Sequence, residues 1–137
     1  MKRTLVDTNV FIDWLNDGLH EEIVIGTGRT RLLSSVVLLE LRAGASNARA
    51  HKQVDTLARR FLAAQRLIAP SSDAYDAAGR VLGRLRRSGR EVRRASLVND
   101  VLIALTAREH GAVVVTRDRS DFEAIRKHVD FGLEVVA

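Results

Sequence analysis

Aliphatic residues in this chain occur either in short continuous runs or at spacings of three and four positions. The short runs, each closed by a Gly, a Pro or a polar residue, predict buried strands. They lie at residues 4–6, 31–33, 67–69, 112–115 and 133–136. Because the runs are continuous rather than alternating, they are typical of parallel strands covered on both faces.

The stretches with helical spacing lie between these runs and predict the helices. The clearest covers residues 47–65, where Val54, Leu57, Phe61 and their neighbours share one face. The other predicted helices cover residues 8–17, 21–27, 35–44, 72–88, 96–110 and 121–127. Strands that alternate with helices predict a layered α/β fold with a mostly parallel sheet. No linker or repeat interrupts the pattern, so a single domain over residues 1–137 is expected.

Composition narrows the classes of function. The chain has no cysteine, which excludes disulfides, thiolate zinc sites and thiol nucleophiles. No apolar run approaches the ~18 residues of a membrane-spanning helix, so we expect a soluble, cytoplasmic protein with no membrane partner. The net charge is +5, and only three of the 22 cationic residues are lysines. An arginine-rich surface favours a polyanion or an acidic partner, although it is also compatible with a simply solvated face.

Four acids stand in unusual positions. Asp7 directly follows the first predicted strand, and Asp118 follows the fourth. If these strands are parallel, both carboxylates lie at the same edge of the sheet, where α/β folds bind ligands. Glu40 and Asp100 instead fall on apolar helix faces, where a buried carboxylate costs several kcal/mol unless something compensates its charge.

Three kinds of compensation are open for these acids: an arginine partner, the positive end of a helix for Asp100, or a shared divalent cation. Mg²⁺ and Mn²⁺ bind carboxylate oxygens and need no His or Cys. Such a cluster is suited to phosphodiester hydrolysis. No Gly-rich phosphate loop is present, and the four histidines are scattered without ligand spacing.

Four short motifs of this sequence resemble those of PIN domains of the VapC type, the ribonuclease toxins of type II toxin–antitoxin systems. They are DTNVFID at residues 7–13, ELRAG at 40–44, NDVLIA at 99–104 and TRDRSDF at 116–122. Together they span nearly the whole chain in the order and spacing of that family.

The resemblance implies a three-layer α/β/α fold with a central sheet of about five strands, in a single PIN domain over residues 1–137. It implies an Mg²⁺- or Mn²⁺-dependent endoribonuclease that forms a homodimer and is neutralised by a VapB-like antitoxin. By match to the motifs, the catalytic and metal-binding acids are Asp7, Glu40, Asp100 and Asp118. The expected supporting residues are Asp121, Thr8, Asn9, Asn99 and Thr116, with Asp121 either joining the site or capping the last helix.

A dense group of arginines precedes the motif that contains Asp100. We expect contacts to the RNA backbone from Arg84, Arg87, Arg90, Arg93 and Arg94. A solvated face and a docking surface for an acidic antitoxin segment are the alternatives. Trp14, at the end of a short predicted helix, belongs either to the core or to a groove that receives an antitoxin peptide.

Two other functions remain open at this stage. The first is a phosphatase or phosphoryl-transfer domain with Asp7 as nucleophile, although such enzymes usually carry a second Asp two residues later, where this chain has Asn9. The second is a catalytically silent, nucleic-acid-binding PIN-like module. Four retained acids disfavour it, because without a metal they would repel phosphate.

Overall fold

The computed structural model describes all residues from 1 to 137 and contains one five-stranded parallel sheet. The strands are β1 (Lys2–Val6), β2 (Arg29–Ser34), β3 (Leu67–Ile68), β4 (Val113–Thr116) and β5 (Gly132–Val135). Their order across the sheet is β3-β2-β1-β4-β5, and every neighbouring pair is parallel. The sequence therefore predicted all five strands, with ends displaced by one or two residues.

Seven helices connect the strands. They are α1 (Thr8–Asp17), α2 (Glu21–Ile25), α3 (Ser35–Gly44), α4 (Ala48–Ala63), α5 (Ser72–Arg87), α6 (Ala95–Glu109) and α7 (Arg119–Arg126). Polar side chains cap several starts: Ser34, Asn47 and Ser71 each accept a backbone N–H from the first turn of α3, α4 and α5. None of these helices has the length and hydrophobicity needed to cross a bilayer.

The strand order creates one switch point, between β1 and β4. The chain builds outward from β1 through β2 to β3, then returns to the other side of β1 and adds β4 and β5. Because such crossovers are right-handed, the two halves of the chain place their helices on opposite faces of the sheet, which gives three layers. In agreement, α4 packs on β2 and β3, whereas α6 packs on β1 and β4. In open parallel sheets, ligands bind beyond the carboxyl ends of the strands at such a switch point.

Three helix starts differ from the prediction by one or two residues. Helix α4 begins at Ala48, because Asn47, the first residue of the predicted helix, is its N-cap. Helix α6 begins at Ala95 rather than at Ser96, after Arg94, whose side chain makes no capping hydrogen bond. Helix α7 begins at Arg119, two residues before the predicted start, because the Asp118 carboxylate accepts the backbone N–H of Asp121 and caps the first turn. The cap is therefore Asp118, and Asp121 stands inside the helix.

Candidate metal centre

Asp7 joins the end of β1 to the start of α1. Its backbone N–H donates to Val115 O at 2.8 Å, so it continues the β1–β4 pairing, and its side chain caps α1. One carboxylate oxygen accepts Thr8 N at 2.8 Å, and the other accepts the Thr116 hydroxyl at 2.7 Å. Burial raises the pKa of Asp7 to about 6, although these two hydrogen bonds act to lower it. The negative charges of Glu40 and Asp118 add to the rise.

Thr116, the last residue of β4, links this acid to the next. Its hydroxyl donates to Asp7 and accepts the backbone N–H of Asp118 at 2.9 Å, and Asn9 Nδ2 approaches it at 3.4 Å. Asn9 Oδ1 in turn accepts the backbone N–H of Arg117 at 3.1 Å. The hydrogen bonds of Thr116 and Asn9 therefore fix the carboxylate of Asp7 relative to the backbone of Arg117 and Asp118.

Glu40 reaches the same region from α3. Its Oε1 accepts the Thr8 hydroxyl at 2.7 Å, and its Oε2 accepts Asn99 Nδ2 at 3.3 Å. The second contact joins α3 to α6, although the two residues are 59 positions apart. Thr8 and Asn99 thus hold the carboxylate of Glu40 between α1 and α6.

Asp100 is the most isolated acid of the group. It stands in the second turn of α6, is 7% exposed, and forms neither a hydrogen bond nor an ion pair through its carboxylate. Burial is the main reason why its pKa rises to about 9, and four surrounding acids raise it further. Those acids are Asp7, Asp118, Asp121 and Glu40. Asp100 neither caps a helix nor forms an ion pair with an arginine.

Asp121 completes the cluster from the first turn of α7. One carboxylate oxygen from each of Asp100, Asp118 and Asp121 lies within 4.8 Å of the others, which is close enough for a single ion to bind all three. Asp7 and Glu40 lie outside this tight group but near enough to raise the pKa of Asp100. We call the five acids, Asp7, Glu40, Asp100, Asp118 and Asp121, the carboxylate pocket.

The chemistry of the pocket fits a hard divalent cation. All of its candidate ligands are carboxylate oxygens, with no His among them and no Cys in the chain. Mg²⁺ and Mn²⁺ prefer this ligand type. Asp7, Glu40, Asp100 and Asp118 form no ion pair with any Lys, Arg or His, so no cationic side chain takes the place of a metal ion beside them.

The five predicted RNA-binding arginines fall into three groups. Arg90 and Arg94 both pair with Asp121, at 2.7 and 3.2 Å. Arg93 pairs with Glu91 at 3.1 Å and is strongly exposed. Arg84 and Arg87 are exposed on α5 and have no acidic partner.

An ion pair beside the pocket was not predicted from the sequence. Arg117, between Thr116 and Asp118, donates through Nε to Asp13 at 2.8 Å, and His20 Nε2 lies 3.2 Å from the same carboxylate. These contacts tie the loop between β4 and α7 to helix α1. Asp13 ends the first motif, which was the only signal for it in the sequence.

A groove between α1 and α4 forms a second surface of interest. Trp14, Leu15 and Leu57 supply its apolar lining, in a cavity of about 360 Å³. Its cationic rim consists of Arg49, Lys52 and Arg60, none of which forms an ion pair. Trp14 is therefore half-buried against the core and still open to this groove.

Comparison with known proteins gives a consistent result. A family model described as PIN domain matches residues 4–128. Among solved structures, VapBC from Salmonella typhimurium bound to DNA is 26% identical with a TM-score of 0.72, covering 98% of each chain. VapBC-5 from Mycobacterium tuberculosis, a member of the VapBC family of toxin–antitoxin systems, is 27% identical with a TM-score of 0.69, covering 99% of this chain and 100% of that one. No curated protein matches the chain.

Proposed function

This chain belongs to the PIN domain family, and from that premise we propose that it is an Mg²⁺- or Mn²⁺-dependent endoribonuclease, the toxin of a type II toxin–antitoxin pair. The observation that carries the proposal is that four of the five acids of the carboxylate pocket have no cationic side chain paired with them. One of these four acids directly follows β1, one lies on α3, one lies on α6 and one stands two residues after β4, and the charges of the other three act on Asp100.

In this proposal, the metal-binding acids are Asp7, Glu40, Asp100 and Asp118. Asp100 and Asp118 belong to the tight group described above, and Asp7 and Glu40 are the more distant acids of the pocket. A bound Mg²⁺ or Mn²⁺ would lower the pKa of a water molecule and neutralise charge on the phosphate. Thr8 and Thr116 fix the orientation of Asp7, and Asn99 fixes that of Glu40, so the carboxylates are held in place before substrate arrives. Water attacks phosphorus, the P–O3′ bond breaks, and the leaving oxygen takes a proton to become a 3′-hydroxyl.

Cleavage of single-stranded RNA with and without metal tests this function. We expect cleavage with Mn²⁺ or Mg²⁺, none with EDTA, and products that carry a 5′-phosphate. Asp100→Asn is the informative variant because the carboxylate it replaces forms no hydrogen bond, so the fold is retained. Cleavage by a correctly folded Asp100→Asn variant at the rate of the unsubstituted protein would contradict the proposal.

The groove between α1 and α4 supports the antitoxin part of the proposal. Its apolar lining and unpaired cationic rim suit an amphipathic, acidic peptide segment. Trp14 is the only tryptophan of the chain, so its fluorescence reports directly on the groove. We expect a VapB-like antitoxin to shift this fluorescence, and Lys52→Glu to weaken binding without changing the free protein's cleavage of RNA. Unchanged fluorescence in a formed complex would place the antitoxin elsewhere.

The homodimer and the cytoplasmic location belong to the same proposal. Light scattering at micromolar concentration tests the dimer, for which a monomer mass would be the contrary result. Phosphoryl transfer through an aspartyl phosphate gains no support, because both oxygens of Asp7 already accept hydrogen bonds and Asn9 stands where a second Asp is usual.

A further inference from the structure

Asp121 differs from the other acids of the carboxylate pocket because two arginines neutralise it. Arg90 Nη2 lies 2.7 Å from one oxygen of Asp121 and 2.9 Å from the hydroxyl of Ser120. Arg94 Nη2 lies 3.2 and 3.4 Å from the two oxygens of the same carboxylate. The charge of Asp121 is therefore neutralised without a metal ion, whereas Asp100 forms no ion pair with a cationic side chain.

The two arginines are held with different strength. Arg90 makes short contacts and its side chain is 31% exposed, as expected of an anchor. The side chain of Arg94 is 46% exposed, and its contacts to Ser96 and Asp121 range from 3.2 to 3.5 Å. Charge-assisted hydrogen bonds are usually about 2.7–2.9 Å long, so the contacts of Arg94 are weak and its donors are available to a stronger acceptor.

The position of Arg94 decides which acceptor that is. The carboxylate that holds it lies within 4.8 Å of Asp100 and Asp118, so the guanidinium is at the rim of the pocket. A planar guanidinium binds phosphate through two parallel hydrogen bonds. If the scissile phosphate of an RNA chain enters the pocket, we expect the neighbouring phosphate of that chain to lie at this rim.

We propose that Arg94 binds the RNA phosphate next to the scissile one, and that Asp121, anchored by Arg90, positions Arg94 for this contact. The inference rests on the proposed ribonuclease function. It assigns RNA binding to Arg94 alone among the five arginines predicted to contact RNA. Arg93 is paired with Glu91, and Arg84 and Arg87 form no ion pair with any acid of the pocket. Asp121 then acts chiefly through Arg94 and not as a ligand of the metal.

Kinetics of RNA cleavage test the role of Arg94. Arg94→Ala is expected to raise KM about tenfold and to lower the slope of log affinity against log salt by about one, as for the loss of one phosphate contact. Arg94→Lys keeps the charge but not the planar fork, so it should restore the salt slope more than KM. The matched control is Arg126→Ala, which removes the same charge from an exposed position of α7 that has no ion pair.

Mn²⁺ titration of the protein without RNA tests the role of Asp121. Asp121→Asn should keep the Mn²⁺ affinity of the unsubstituted protein and raise KM as Arg94→Ala does, whereas Asp100→Asn should lose Mn²⁺ binding. The proposal is overturned if Asp121→Asn loses Mn²⁺ affinity as Asp100→Asn does. It is also overturned if KM of Arg94→Ala equals that of Arg126→Ala, with circular dichroism confirming that the variants are folded.

These outcomes separate this inference from the function on which it rests. If the unsubstituted protein neither binds Mn²⁺ nor cleaves RNA, both proposals fail. If it cleaves RNA and only Asp100→Asn abolishes the reaction, while Arg94→Ala behaves as the control, the ribonuclease stands and the role of Arg94 is wrong.

Discussion

Glu134 and Asp100 are acids in the same α/β domain, but the chain surrounds them differently. Glu134, on β5, accepts hydrogen bonds from Arg29 at 3.1 and 3.2 Å and from Lys2 at 3.1 Å, and Arg29 is the main reason why its pKa lies below the usual value. Asp100 is more deeply buried, has no cationic partner, and has a pKa of about 9. In a chain rich in arginine, an acid left without one points to a ligand that binds there.

The largest expected difference between the two acids is in catalysis. Asp100→Asn should reduce RNA cleavage roughly 10³-fold or more, because a metal ion contributes several kcal/mol to phosphoryl transfer. Glu134→Gln should leave the rate unchanged, because Glu134 serves only to pair Lys2 and Arg29. Initial rates with Mn²⁺ measure both variants, and an equal loss in the two would remove the distinction between them.

The pH dependence of stability should also differ. Asp100 and Asp7 have folded pKa values above the unfolded value near 3.8, so the metal-free fold binds their protons more tightly. Stability is therefore lost as pH rises from about 4, up to about 6 for Asp7 and about 9 for Asp100. Each such group contributes a slope of about 1.4 kcal/mol per pH unit at most. Thermal unfolding in EDTA measures the slope, which Asp100→Asn should flatten.

Glu134 has the opposite linkage. Its folded pKa is lowered, so its contribution is present above the unfolded pKa and is lost as pH falls through the folded value. Glu134→Gln should therefore leave the decline above pH 6 intact in the EDTA experiment. A decline that depends on Glu134 rather than on Asp100 would contradict the comparison.

Metal should stabilise the fold through Asp100 and not through Glu134. At a concentration one hundred times Kd, a ligand that binds only the folded state adds about 2.7 kcal/mol. We expect Mn²⁺ to raise Tm accordingly in the unsubstituted protein and in Glu134→Gln, and to have little effect on Asp100→Asn. Scanning calorimetry with and without EDTA makes the measurement, and an unchanged Tm at saturating Mn²⁺ would show that the pocket binds no metal.

The smallest expected effect is that of Glu134→Gln on the free energy of unfolding. Glu134→Gln loses two partly exposed ion pairs, which are each worth about 0.2–1 kcal/mol. The loss should appear in urea unfolding as a lower midpoint with an unchanged slope. A larger loss than that of a typical core substitution would mean that Glu134 has another role.

The sequence alone predicted the features that depend on local pattern. The five strands and seven helices follow from runs and spacings of aliphatic residues. Glu40 and Asp100 were candidates because they interrupt apolar helix faces, and Asp7 and Asp118 because they follow predicted strands. The start of α7 was misplaced because a cap by Asp118 depends on the turn geometry after β4. The pairing of Arg94 with Asp121 joins residues 27 positions apart, and no local pattern distinguishes Arg94 from the arginine beside it.

Helix α1 has a mechanical consequence. Asp7 caps its first turn, and Trp14 lies seven residues further along. About 10 Å of a single helix therefore connects the pocket with the groove. If a partner bound in the groove changes the affinity of the pocket for the cation by some factor, the cation changes the affinity of the groove for that partner by the same factor. Titrating the metal in free and antitoxin-bound protein would therefore measure the same coupling energy as titrating the antitoxin with and without metal.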